Sequence, residues 1–205
     1  MPIIDYYYTS ISPFAYLGHQ AFLDLAKAHG AEIRFRPVVL MGVWEHSGAV
    51  PLPQRPKSRQ NYRLIELQRW REKRGVPLNL HPKHFPTNPT LADCSVIALV
   101  EAGTDPAAYA GMVFKACWAD DKDVADADVL AGLLARAGHD ADATLKAAAS
   151  EAVAAIHKAN TEAAVAAGVV GSPGYVLNGE PFWGQDRIEL LADALNSSRP
   201  PFAVA

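Results

Sequence analysis

Cysteine is nearly missing from this chain: the 205 residues contain two, Cys94 and Cys117. Their separation fits neither C-x-x-C nor a metal-ligand spacing, so a local redox pair and a small zinc module are excluded, and two buried free thiols are the expected state. Long apolar runs are missing as well. No stretch approaches the roughly 18 apolar residues of a membrane span. The start, Met1-Pro2-Ile3-Ile4-Asp5, enters a strand-like run without the basic segment and apolar stretch of an export signal, which leads us to expect a cytoplasmic protein with no membrane partner. Nor is there a surplus of one charge. With 19 Lys and Arg against 22 Asp and Glu, the formal net charge is -3, which removes the general electrostatic basis for binding nucleic acid. What remains is an ordinary globular composition, 50% hydrophobic and 20% charged, long enough to bury a substantial core. A small molecule is the default ligand.

The two ends of the chain carry strand signals and the middle carries helix signals. Ile3-Ile4-Asp5-Tyr6-Tyr7-Tyr8 is rich in β-branched and aromatic residues and reads as a buried strand. Ser12-Pro13 then opens a helix, because serine caps free amides and proline suits the first helical position. Tyr16, Leu17, Ala21, Phe22, Leu25 and Ala26 recur at helical spacing up to a stop at His29-Gly30. Ile33, Phe35 and Val38-Val39-Leu40 read as a second strand, so the first forty residues form a β-α-β unit with parallel strands. Residues 55–168 are helical throughout, including an alanine-rich tract over 142–168. Tyr175-Val176-Leu177 is again a strand, and Asn178-Gly179 is a strong hairpin signal leading into Pro181-Phe182-Trp183. Asp186 and Glu189 are spaced as a capping box for a last helix. The economical architecture is one α/β domain built from residues 1–45 and 169–205, with residues 46–168 inserted as a helical domain.

Three short segments carry chemistry. Ser12-Pro13-Phe14-Ala15 follows a strand and begins a helix, where free amides and the helix dipole stabilise phosphate, carboxylate or thiolate. In thioredoxin-fold oxidoreductases this place holds C-x-x-C; with Ser12 and Ala15 there instead, disulfide exchange through the usual pair is impossible. Ser12 has no neighbouring His or Lys to make it a nucleophile, but its hydroxyl can donate a hydrogen bond to a thiolate brought in by a cofactor. The same serine is equally at home as a plain N-cap. Ser172-Pro173, between Gly171 and Gly174, suits a turn or a cis bond; in the thioredoxin fold a cis-proline faces the helix-start motif, and the residue before it offers its backbone to an extended peptide. Gln185 and Asp186, after Trp183-Gly184, offer an amide and a carboxylate to a ligand ammonium group.

Taken with Leu67-Gln68-Arg69-Trp70, Gly75-Val76-Pro77 and Phe85-Pro86-Thr87-Asn88, these segments resemble the 2-hydroxychromene-2-carboxylate isomerase family in order and spacing over nearly the whole chain. That family is close to kappa-class glutathione transferases and more distant from DsbA-type oxidoreductases. The resemblance implies a thioredoxin-like fold with a helical insertion, assembled as a homodimer, and a glutathione-dependent isomerase of naphthalene-type aromatic catabolism converting 2-hydroxychromene-2-carboxylate to trans-o-hydroxybenzylidenepyruvate. It implies Ser12 as the catalytic serine, Pro173 as the cis-proline, Ser172 as the residue whose backbone pairs with glutathione, and Gln185 and Asp186 as holders of its γ-glutamyl end. Arg59 stands where relatives carry a lysine and is expected to meet the glycyl carboxylate. Asn88 is expected near the substrate. Relatives carry an asparagine near Ala49-Val50 and often a valine before the cis-proline; this chain has neither. Two other readings fit the same groove, a kappa-like transferase or peroxidase acting on another electrophile, and a non-catalytic module that binds glutathione or peptide.

Overall fold

The computed structural model describes residues 1–197 and 199–203. Strand β1 (Ile3–Tyr8) lies in the middle of a four-stranded sheet. It pairs parallel with β2 (Glu32–Pro37) and antiparallel with β3 (Gly174–Leu177), which pairs antiparallel with β4 (Glu180–Trp183), giving the order β2-β1-β3-β4. The register sets Tyr6 opposite Phe35 on one side and Tyr175 on the other. The hairpin signal is realised: Asn178 and Gly179 have φ of 53° and 85°, the left-handed pair that a two-residue turn with right-handed strand twist requires.

Both faces of the sheet are buried, and the period of two along β1 sorts its residues between them. Ile4, Tyr6 and Tyr8 enter the main core with Phe22, Tyr175 and Phe114. The Tyr6 ring lies 4.4 Å from Tyr8 and 5.4 Å from Tyr175, centroid to centroid. Tyr7 points the other way, into a smaller cluster of Val38, Val43, Ala164, Val169 and Val176. Helix α1 (Pro13–Ala28) crosses the first face and connects the parallel strands. α2 (Leu40–Ser47) packs with α8 (Glu151–Ala166). Between them come α3 (Lys57–Arg74), α4 (Thr90–Glu101), α5 (Ala107–Trp118), α6 (Ala127–Arg136) and α7 (Ala141–Ala148); α9 (Ile188–Asn196) closes the described chain. None of these helices is long and apolar enough to cross a membrane. The strands from the two ends and the helices between them form a thioredoxin-like α/β fold with a helical insertion.

Two local expectations change. The apolar residues Val38-Val39-Leu40 do not extend the second strand, which stops at Pro37; Val39 precedes α2, and its amide donates to Thr161 Oγ1 at 2.9 Å. Tertiary contact with α8 overrides the β propensity of the valines. The capping box at Asp186 and Glu189 does not form. Residues Gln185–Arg187 make a single 3-10 turn, α9 starts at Ile188 without a side-chain cap, and Asp186 pairs with Arg187 at 2.6 Å. The alanine-rich tract divides in two, with Asp140 and Ser150 capping α7 and α8. Cys94 and Cys117 are both free and buried.

One glycine ties α1 to the C-terminal region. A Cβ at Gly18 would collide with Cβ of Gln185, whereas a Cβ at exposed Gly132 in α6 would meet nothing within 4 Å. Replacing glycine by alanine gains about 1 kcal/mol of helix propensity at either place, while overpacking a closed contact costs about 1–3 kcal/mol. Gly132→Ala is therefore expected to raise the urea midpoint and Gly18→Ala to lower it; equal shifts from both would show that the α1 contact with Gln185 is not tight.

Candidate functional site

The loop between β1 and α1 is where the chain's two ends meet. Ser12 caps α1 from an extended backbone conformation, its Oγ accepting from Ala15 N at 3.2 Å. The same hydroxyl donates to the carbonyl oxygen of Ser172 at 3.1 Å. Ser172-Pro173 is a cis peptide bond, and Ser172 Oγ accepts from Thr9 N at 3.2 Å. Two hydrogen bonds thus lock the helix start onto the segment ahead of β3, across 160 residues of sequence or more. Ser12 is thus a helix cap, and its hydroxyl also donates to the cis-proline segment.

Beneath this loop is a residue that sequence reasoning passed over. Asp93, in the first turn of α4, is fully buried. Its Oδ1 accepts from Ser10 N at 2.7 Å and Ser10 Oγ at 2.6 Å, and its Oδ2 accepts from Thr9 Oγ1 at 2.9 Å. Burial pushes its carboxyl up to about 7, against the lowering effect of the three hydrogen bonds from Ser10 and Thr9. His157 approaches without pairing: its Nε2 is 4.0 Å from Asp93 Oδ2, beyond hydrogen-bond distance. Burial lowers the imidazole pKa from its ordinary value. The available signal was a lone acid in the apolar run Leu91-Ala92-Asp93-Cys94-Ser95-Val96, where a buried carboxylate needs partners.

The other predicted residues lie in the 185–187 turn, on α3 and just before α4. Gln185 is 1% exposed, and Arg74 donates to its Oε1 at 3.0 Å and to its backbone oxygen at 3.0 Å. Its side-chain oxygen is committed to α3. Asp186 is exposed beside Gly184, whose φ of +100° and lack of a Cβ leave room for the carboxylate. Arg59 is exposed in the first turns of α3. Asn88 is exposed as well, and its Oδ1 accepts from Thr90 N at 3.0 Å at the start of α4. Trp183, 57% exposed, covers Gly171, where a Cβ would come within 2.6 Å of the indole nitrogen. A cleft of about 830 Å³ runs along β2 and the ends of α1 and α4, and neither Ser12 nor Pro173 lines it.

The family model for the DSBA-like thioredoxin domain matches residues 3–196. The 2-hydroxychromene-2-carboxylate isomerase of Pseudomonas putida is 31% identical over 196 residues, 94% of each chain. The protein of that name from Sphingobium xenophagum is 30% identical over 194 residues, covering 94% of this chain and 97% of its own. A solved 2-hydroxychromene-2-carboxylate isomerase superposes with a TM-score of 0.78 at 29% identity, covering 95% of this chain and 94% of its own.

The raised carboxyl of Asp93 has a consequence for stability. Between pH 3.8, its ordinary value, and about 7, the folded state holds a proton that the unfolded state has released. The unfolded state therefore binds fewer protons, and stability falls as pH rises through that window. Urea unfolding of the native chain is expected to show this decline, on the order of a few kcal/mol. Asp93→Asn, which cannot titrate, is expected to flatten it. An unchanged slope in the variant would assign the pH dependence to other groups.

Proposed function

The chain belongs to the 2-hydroxychromene-2-carboxylate isomerase family within the DsbA-like thioredoxin fold, and from that premise we propose that it is a glutathione-dependent isomerase acting on 2-hydroxychromene-2-carboxylate. The observation that carries this reading is the Ser12 hydroxyl, at the amino end of α1 and hydrogen-bonded to the residue before a cis-proline. The chain's own residues fit the tripeptide. Ser172 precedes β3 and its amide donates to no acceptor among the described residues, so its backbone suits strand-like pairing with an extended peptide. Asp186 offers an exposed carboxylate to the γ-glutamyl ammonium, and Arg59 an exposed cation to the glycyl carboxylate. Gln185, expected at the γ-glutamyl end, has its side-chain oxygen held by Arg74 and packs against Gly18.

When bound, glutathione would supply the thiol chemistry of reversible addition to a conjugated double bond, with Ser12, Ser172, Asp186 and Arg59 holding it. Ser12 serves this chemistry by exchanging partners. Its hydroxyl proton, held by Ser172 O, turns to a sulfur anion, and Ser172 O is released to accept a peptide N–H. Ala15 N continues to donate to Ser12 Oγ, keeping the hydroxyl oriented. Lowering a thiol pKa by two units needs about 2.7 kcal/mol. A hydrogen bond to a charged group contributes about 1.5–3 kcal/mol, and a helix terminus about 0.3–1 kcal/mol. Asp93 fixes residues 9 and 10, so that the loop does not relax when the partners exchange.

Spectrophotometric assay with 2-hydroxychromene-2-carboxylate tests the reading. The expected result is turnover that requires glutathione, consumes none of it, and falls roughly a hundredfold in kcat/KM for Ser12→Ala, the scale of losing one preorganised donor. A rate indifferent to glutathione and to the substitution would refute it, and net loss of glutathione would point to transfer chemistry instead.

A further inference from the structure

Residues 46–65 contain no acidic residue and four cations, Arg55, Lys57, Arg59 and Arg63, in a chain whose net charge is -3. Arg55 is occupied: its Nε donates to Val50 O at 2.8 Å, and its guanidinium lies 5.4 Å from the Trp44 ring centroid. Arg63 differs from the others. It is half-buried on α3, its guanidinium lies 5.9 Å from the ring centroid of Trp118, and among the described residues no hydrogen bond or ion pair engages it. The nearest acid along the helix, Glu66, is bound by Arg69 at 2.6 Å. Burial and the neighbouring Arg55 lower the guanidinium pKa to about 10. Holding a cation in such a place is costly unless an anion comes to it.

Two geometric facts indicate which anion. Arg59 and Arg63 are four residues apart on one helix and so share a face, about 6 Å apart at Cβ. Trp118 is fully buried, packed 4.8 Å from Phe85, and its backbone oxygen accepts from Asn79 N at 2.7 Å. Two residues before Asn79, Pro77 O accepts from the hydroxyl of Tyr16 at 2.7 Å, and Tyr16 is one turn along α1 from Ser12. Arg63 thus lies over a ring of the core cluster to which Ala15 and Tyr16 of α1 also belong.

We propose that Arg63 anchors the carboxylate of the aromatic substrate, beside Arg59 and over the Trp118–Phe85 pair, where a guanidinium without an acidic partner takes a carboxylate in two-pronged fashion. The assignment rests on the reading of this protein as an isomerase of an aromatic acid, and it divides the labour between neighbours: Arg59 faces the carboxylate of the tripeptide, Arg63 that of the substrate.

Calorimetric titration of the full chain, native and as Arg63→Met and Arg63→Lys, tests this with 2-hydroxycinnamate, 2-hydroxycinnamamide and glutathione as separate ligands. Methionine keeps the apolar stem and Lys keeps the charge, and circular dichroism and urea midpoints verify that each variant is folded. The expected result is a Kd for 2-hydroxycinnamate at least tenfold weaker in Arg63→Met and partly restored in Arg63→Lys. The neutral amide is expected to bind native and variant alike, and the glutathione Kd to stay within twofold. In turnover, Arg63→Met is expected to raise KM for 2-hydroxychromene-2-carboxylate at least tenfold, with kcat within threefold. Equal binding of 2-hydroxycinnamate by native chain and Arg63→Met, or no binding by the native chain, would overturn the anchor. Weakened glutathione binding would overturn it too, by giving Arg63 to the tripeptide. Arg63-dependent binding of the acid in a native chain without isomerase turnover would support the anchor while sinking the isomerase reading, so the two fail separately.

Discussion

A buried carboxylate holds the functional loop in place. Asp93 has no exposed surface, and what makes it tolerable is that Ser10 and Thr9 give it three hydrogen bonds, one of them from the backbone. A carboxyl group taken out of water without such partners would cost several kcal/mol. The dependence is mutual. Residues 9 and 10 leave the end of a central strand, where the backbone has lost its ladder, and the carboxylate supplies the acceptors that the sheet no longer provides. Because Asp93 sits on α4, the inserted helices set the position of the strand-to-helix turn from which Ser12 projects.

The second constraint is topological. β1 is central because both its edges are used, by β2 from the same end of the chain and by β3 from the other. Parallel pairing with β2 demands a crossover, which α1 supplies, and the start of that crossover lies at the carboxyl end of β1. Antiparallel pairing with β3 brings the segment before β3 to the same corner. The Ser12 to Ser172 hydrogen bond is therefore a consequence of strand order and register, and the cis-proline segment meets the helix start in the way an extended peptide would need. In the proposed chemistry the protein provides fixed dipoles around a foreign sulfur and no nucleophile of its own, which agrees with the absence of a base beside Ser12 and of a cysteine at Ala15.

The charge pattern extends this logic to the ligands. An acid-free stretch of cations opens α3, on a chain with a slight excess of acids elsewhere. At the other end of the same helix, Arg74 is bound to Gln185, so α3 fastens the C-terminal region with one end and with the other presents guanidinium groups that have no acidic partner among the described residues.

Much of the fold was legible in the sequence because local physics dictates it. Ser12-Pro13 starts a helix wherever it is placed, Asn178-Gly179 turns a hairpin for steric reasons, and the β-α-β order at one end with a hairpin at the other leaves few sheet topologies. Where local preference and packing disagree, packing wins: Val39 and Leu40 leave the second strand to meet α8, and Asp186 pairs with Arg187 instead of capping α9. The environment of Asp93, the occupation of Gln185 by Arg74 and the exposed, helix-start setting of Asn88 were beyond sequence, since each depends on partners between 2 and 111 residues away whose approach only the assembled core decides. The sequence by itself determined which elements form and which groups could carry charge. The tertiary structure decided which of those groups meet, because hydrogen bonds and burial act over a few ångströms in space, and neither is a property of separation along the chain.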